Sequence, residues 1–177
     1  KAEAMCSLAA GAAGCSAEDV IVASTGVIGV PVPIEPIKAA MDELKAGLSY
    51  DGGTSAAEAI MTTDTVSKQC AVRFKIGENI CTVGGMCKGS GMINPNMATM
   101  LCFLSTDVNI DASSLDAALH EAVKNTFNMV YIDGDTSTND MAEIMASGLA
   151  GNDKITAKSA GYGEFLAALK AVLLELA

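Results

Sequence analysis

Apolar positions recur along this chain with two periods, and each switch between them marks an element. Residues 1–13 are Ala-rich and read as the later part of a helix. Residues 163–177 set Phe165, Leu166, Leu169, Val172, Leu173 and Leu176 on one stripe, as an amphipathic helix does. Between them, Asp19-Val-Ile-Val-Ala-Ser24 is a β-rich run that leads into the glycine-containing turn Thr25-Gly-Val-Ile-Gly29. The prolines from Pro31 to Pro36 then interrupt the chain before a helix at 37–46. Ser55-Ala-Ala-Glu58 has the form of a capping box and predicts a short helix ending at Met61, which leaves Thr62-Thr-Asp-Thr65 at an element boundary. Residues 70–76 and 80–83 alternate on either side of Gly77-Glu-Asn79, the pattern of a β-hairpin. Residues 99–106 are strand-like, and 139–147 read as a helix capped by the hydroxyls and carboxylates before it. Strands alternating with helices predict an α/β domain.

Composition narrows the function classes. A chain of 177 residues is the size of one domain with a substantial core. With 21 acidic against 11 basic residues the formal charge is -10, which repels phosphate backbones and anionic membranes, so no nucleic-acid or membrane partner is expected. Its apolar runs are broken well short of the roughly 18 residues of a membrane helix, and a soluble, cytoplasmic protein is the expectation. Six cysteines with no C-x-x-C pair, beside the single His120, support neither a zinc site nor a disulfide framework, and reduced thiols and no metal are expected. The first helix has no start signal and the last no C-cap, so the chain is expected to be a piece, incomplete at both ends.

The richest segment is Gly84-Gly-Met-Cys-Lys-Gly-Ser-Gly-Met-Ile-Asn-Pro-Asn-Met-Ala-Thr-Met-Leu101. Composition alone reads it as a glycine-rich connection between two strands. A phosphate-binding loop would need a lysine after its last glycine and a Ser or Thr beside it, whereas Lys88 comes first. Asp133-Gly-Asp-Thr-Ser-Thr-Asn-Asp140 opens like a calcium loop, but position six is Thr138 rather than Gly and position twelve is Ile144 rather than Glu, so a capping turn is the simpler reading.

The run Lys88-Gly-Ser-Gly-Met-Ile-Asn-Pro-Asn-Met-Ala-Thr-Met-Leu101 resembles the self-cleavage signature of the ornithine acetyltransferase family, Lys-Gly-x-Gly-Met-x-x-Pro followed by Met/Leu-Ala-Thr-Met-Leu. Ala23-Ser-Thr-Gly-Val-Ile-Gly29, Ala59-Ile-Met-Thr-Thr-Asp-Thr65 and Asp133 to Asp140 resemble the same family in the same order. The resemblance covers essentially the whole chain and implies a two-layered sheet flanked by helices, of αββα type. It implies cleavage between Ala98 and Thr99, so that 1–98 would be the end of an α chain and 99–177 the start of a β chain, assembled as α₂β₂. Family members are longer, and further substrate-binding groups, including a Glu just past Ala177, have no counterpart here.

A threonine hydroxyl must lose its proton as it attacks, and the α-amino group freed at Thr99 would supply a base, with a pKa of about 7.7–8.0, beside its own hydroxyl. The resemblance implies that Thr99 takes the acetyl group of N-acetylornithine and passes it to glutamate in a ping-pong cycle for arginine biosynthesis. Some members also use acetyl-CoA, which these residues do not discriminate, and no cofactor is expected. Thr25 and Gly26 match the family's oxyanion donors, each worth on the order of 3–4 kcal/mol; taken alone they form a strand-end turn. Lys88 and Thr62 match substrate-binding positions; taken alone they are a surface charge and a helix-end hydroxyl. His120 and the ten methionines read as helix surface and core packing. Two alternatives stay open: an N-terminal-nucleophile amidohydrolase that passes the acyl group to water, and a folded but inactive fragment.

Overall fold

A computed structural model describes residues 1–27, 29–89, 100–132 and 137–177. The chain divides into two compact units, Lys1–Ser55 and Ala56–Ala177.

The first unit is helical. Helix α1 (Ala2–Ala13) stops where Gly14 turns left-handed at φ 76°, its N–H reaching Ala10 O at 2.7 Å. A 3₁₀ turn at Ala17–Asp19 follows, closed by the reciprocal bonds of Ser16 and Asp19. Helix α2 (Glu35–Ala46) starts two residues before its expected position, because Pro36 fits the first helical turn, where its missing N–H has no partner to lose. The expected strand at 19–24 is not formed. Residues 20–26 carry no ladder, since a β-rich run becomes a strand only when another segment pairs with it. Helix α3 (Gly53–Ala59) begins two residues ahead of the Ser55 cap predicted for it.

The second unit is built on a four-stranded mixed sheet in the order β1-β2-β3-β4, which bears out the α/β class. Strands β1 (Lys68–Ile76) and β2 (Asn79–Lys88) form the expected hairpin, turning at Gly77 with φ 59°. β2 pairs antiparallel with β3 (Leu101–Thr106), and β3 pairs parallel with β4 (Met141–Ala146). The crossover contains α4 (Ala112–Lys124), capped by Asp111, whose side chain accepts the Ser114 N–H. Helix α5 (Tyr162–Leu176) packs on β1 and β2 and against α4. Its predicted stripe is the core: Phe165, Leu169, Val172, Leu173 and Leu176 are buried against Cys81, Val83, Cys102 and Leu104. Each large side chain so buried contributes about 1.5–3 kcal/mol.

Two expectations change here. Residues 141–146 form strand β4, where a helix was predicted. Met, Ala and Glu favour helices locally, but the ladder to β3, with Met141 N–H on Met100 O at 2.9 Å and Ser147 N–H on Thr106 O at 2.9 Å, and the packing of Ala142 and Ile144 on the core outweigh that preference. β2 also runs five residues beyond the predicted 80–83, through Gly84 and Gly85 to Lys88. A Cβ on Gly84 would lie 2.9 Å from Ala71 Cβ, and one on Gly85 would meet Phe103 O and lie 2.7 Å from Leu104 Cδ2. The glycines let β1, β2 and β3 approach each other closely.

Candidate functional site

Lys88 is therefore the last residue of a central strand rather than a loop lysine. It sits opposite Leu101 of β3 and is only 3% exposed. Its Nζ donates to Thr62 Oγ1 at 2.7 Å. Three ammonium hydrogens and one such partner among the described residues leave Lys88 donors for another acceptor.

Thr62 is delivered by the unwinding of α3. The Ile60 and Met61 N–H groups bond back to Ala56 O and Glu58 O, each at 3.2 Å, and the chain then turns at residues 62–64. The turn is fixed by Asp64. Its Oδ2 accepts the Thr62 N–H at 3.1 Å, and its Oδ1 accepts the Gly89 N–H at 2.7 Å. Burial pushes the Asp64 carboxyl up, but these N–H groups and the Lys88 ammonium outweigh it and hold the group below the usual carboxylate value. An ionised carboxylate thus binds the α3–β1 connection to the end of β2 and balances a buried ammonium.

Two strands away a second carboxylate plays a similar part. Asp140, just before β4, accepts the N–H of Met100, just before β3, through Oδ1 at 2.7 Å. Its Oδ2 is buried and has no hydrogen-bond partner among the described residues. Burial raises the Asp140 carboxyl above its ordinary value, against the pull of the Met100 N–H and of the nearby Ser137 hydroxyl, which itself donates to Asn139 Oδ1 at 3.0 Å. The connection from β2 to β3 is therefore gripped at both ends, at Gly89 by Asp64 and at Met100 by Asp140. Cys87 and Cys102 pair across β2 and β3, both buried, and the Cys87 sulfur together with burial raises the Cys102 thiol.

Of the residues singled out in the sequence, Thr62 and Lys88 are brought into direct contact. Thr25, half-buried, and Gly26, exposed, belong to the first unit, and a Cβ at Gly26 would meet nothing within 4 Å. Nothing steric demands glycine there, and an N–H donor needs none. Ala98, Thr99 and residues 133–136 lie outside the described residues. His120 is exposed on α4, its Nδ1 3.0 Å from Asp116 O. Asp64 and Asp140 were missed as site residues although both lie in quoted segments; the available signal was an acidic residue at an element boundary, Asp64 between α3 and β1 and Asp140 directly before β4.

The ArgJ family model matches residues 1–177. The chain is 56% identical over 173 residues to the arginine biosynthesis bifunctional protein ArgJ of Symbiobacterium thermophilum, covering 98% of this chain and 43% of that one. It is 46% identical over 159 residues to ArgJ 1 of Clostridium acetobutylicum, covering 90% and 39%. A crystal structure of the Bacillus halodurans arginine biosynthesis bifunctional protein is similar at 47% identity and TM-score 0.44, over 45% of this chain and 37% of that one. The chain thus spans about two fifths of the length of these curated relatives. The match along its whole length shows that the chain belongs to the ArgJ family.

Proposed function

We propose that the full-length protein is an acetyltransferase of arginine biosynthesis that moves an acetyl group from N-acetylornithine to glutamate through an acetyl-Thr99 intermediate. The observation that carries the reading is Lys88. A buried ammonium at the end of β2, hydrogen-bonded to Thr62 and balanced by Asp64, opens the segment whose sequence carries the cleavage signature. Membership of a family whose relatives are called arginine biosynthesis bifunctional proteins supports the same reading. Acetyl-CoA would be a second acetyl donor.

In this reading the chain is cut between Ala98 and Thr99 by attack of the Thr99 hydroxyl on the Ala98 carbonyl and hydrolysis of the ester. The freed amine then accepts the hydroxyl proton as Thr99 Oγ1 bonds to the acetyl carbon. Collapse of the tetrahedral intermediate breaks the amide C–N bond, and the proton passes to the departing ornithine nitrogen. Glutamate's amine reverses the sequence. Thr25 and the Gly26 N–H meet the oxyanion, and Lys88 with Thr62 holds substrate. Residues 1–98 and 99–177 would belong to the α and β chains of a cytoplasmic α₂β₂ assembly.

Full-length protein should separate into two polypeptides, the second beginning at Thr99, and that polypeptide should gain one acetyl group on mixing with N-acetylornithine and lose it faster to glutamate than to water. Rapid acetate release without glutamate would point to an amidohydrolase. An uncut, active chain, or an active Thr99→Ala variant, would overturn the nucleophile.

A further inference from the structure

Cys87 and Cys102 are register partners on β2 and β3, and both are buried, at 2% and 1% exposure. The ladder decides what kind of pair they are. At its far end the Asp107 N–H donates to Thr82 O at 3.2 Å and the Thr82 N–H to Asp107 Oδ1 at 2.7 Å, so these two residues hold a hydrogen-bonded position. Bonded and non-bonded pairs alternate along an antiparallel ladder, which makes Val83–Thr106, Gly85–Leu104 and Cys87–Cys102 the non-bonded ones. Such pairs bring Cα atoms to about 4.5 Å, inside the roughly 4.4–6.8 Å that a disulfide spans. The close spacing shows at the next pair of this kind, where a Cβ on Gly85 would lie 3.1 Å from Leu104 Cα. A bridge between the two cysteines therefore asks for no backbone movement.

All six cysteines are free in the structure, and this pair differs from the other sheet cysteines. Cys70 and Cys81 stand opposite Gly85 and Phe74, so the ladder offers neither of them a second sulfur. The Cys102 thiol holds the Cys87 thiol below its ordinary value, with the Lys68 and Lys88 ammoniums assisting and burial and the Asp64 carboxylate opposing. A thiol shifted in that direction is more often the nucleophilic thiolate.

We propose that Cys87 and Cys102 are an oxidation site, at which hydrogen peroxide joins β2 to β3 through a cross-strand disulfide. The Cys87 thiolate attacks one peroxide oxygen, the O–O bond breaks, and the departing hydroxide takes the thiol's proton to leave as water, giving a sulfenic acid. The Cys102 sulfur then bonds to the Cys87 sulfur, the S–O bond breaks, and the Cys102 proton leaves with the hydroxide as a second water. Two thiols thus lose two electrons to one peroxide. Burial excludes bulky oxidants, so the size of the oxidant is part of the selectivity. The site rests on the ladder alone. Its consequence rests on the proposed cleavage: one sulfur lies on each side of Ala98–Thr99, so the bond would tie the α chain covalently to the β chain.

The test treats full-length protein with hydrogen peroxide, blocks the remaining thiols and digests with trypsin. The peptide that ends at Lys88 and the one that holds Cys102 should be recovered joined, lighter than their sum by two hydrogen atoms. Cys81 shares the first peptide, so Cys81→Ala should keep the link and Cys87→Ala should lose it. If Cys81→Ala does not fold, fragmentation of the joined wild-type peptides assigns the sulfur. On a gel, cut and oxidised protein should run as one band without reductant and as two with dithiothreitol. Free Cys87 and Cys102 after the exposed Cys15 has been oxidised, or a link that persists in Cys87→Ala, would overturn the proposal. Joined peptides from a protein that still runs as one band after reduction would support the site and remove the cleavage instead, a separate failure.

Discussion

The two ends of the β2–β3 connection are held by similar bonds in different electrostatic settings. At Gly89 and at Met100 a backbone N–H lies 2.7 Å from a carboxylate oxygen. Asp64 also receives the Thr62 N–H and lies near the Lys88 ammonium, so its carboxyl is held low. Asp140 is raised by burial and has an oxygen with no hydrogen-bond partner among the described residues. One end is therefore electrostatically balanced, while the other retains an unused acceptor.

The largest effect should come from removing the balancing cation. Lys88→Met keeps the volume and deletes the ammonium, and in full-length protein kcat/KM should fall about 10²–10³-fold, the usual cost of removing a charge-stabilising donor. The Asp64 carboxyl should rise towards its ordinary value in the same variant, readable by NMR titration. Activity within threefold of wild type would reduce Lys88 to a structural cation.

A smaller loss should follow from disturbing the strand that presents it. Gly85→Ala sets a Cβ against Phe103 O and Leu104 Cδ2, so that a neighbour must shift to admit it. Thermal denaturation should show about 1–3 kcal/mol of destabilisation. No change would mean that the strands move apart freely and that the position of Lys88 does not depend on close packing.

The smallest effect is the sharpest test of the contrast, because the two carboxylates should respond to pH with opposite signs. Asp64 has a folded value below its unfolded one, so it stabilises above the unfolded value, about pH 4, and that contribution is lost as pH falls through the folded value. Asp140 has a folded value above its unfolded one, so its contribution is present below about pH 4 and lost as pH rises through the folded value. Followed as Tm from pH 3 to 7, Asp64→Asn should flatten the acid-side fall of the wild type. Asp140→Asn should steepen it, since a slope of opposite sign is removed. Changes of the same sign in both variants would end the comparison.

Legibility in the sequence followed how local the cause was. The stripe of α5 is set by side chains three and four apart, and the β1–β2 hairpin by alternation and Gly77, so both could be read directly. β4 could not, because its residues favour a helix and only the ladder to β3 makes them a strand. The extension of β2 was hidden by Gly84 and Gly85, which signal a loop in sequence and a close approach of three strands in space. For the site, the Lys88 signature was legible as text, whereas the bond to Thr62 spans 26 positions and the grip of Asp140 on Met100 spans 40. Nothing in a local pattern ties a carboxylate to an amide that far away.

The register of β2 against β3 bears on what a break at Ala98–Thr99 would do. Lys88 pairs with Leu101 and Val83 with Thr106, and α5 lies across β1 and β2 although it follows position 99 in the chain. The two products would share one sheet and one core, so severing the backbone would free neither of them. Such a protein is a self-complementing pair: scission would create two new chain ends while leaving the interface between the halves already assembled, and separation would require unfolding.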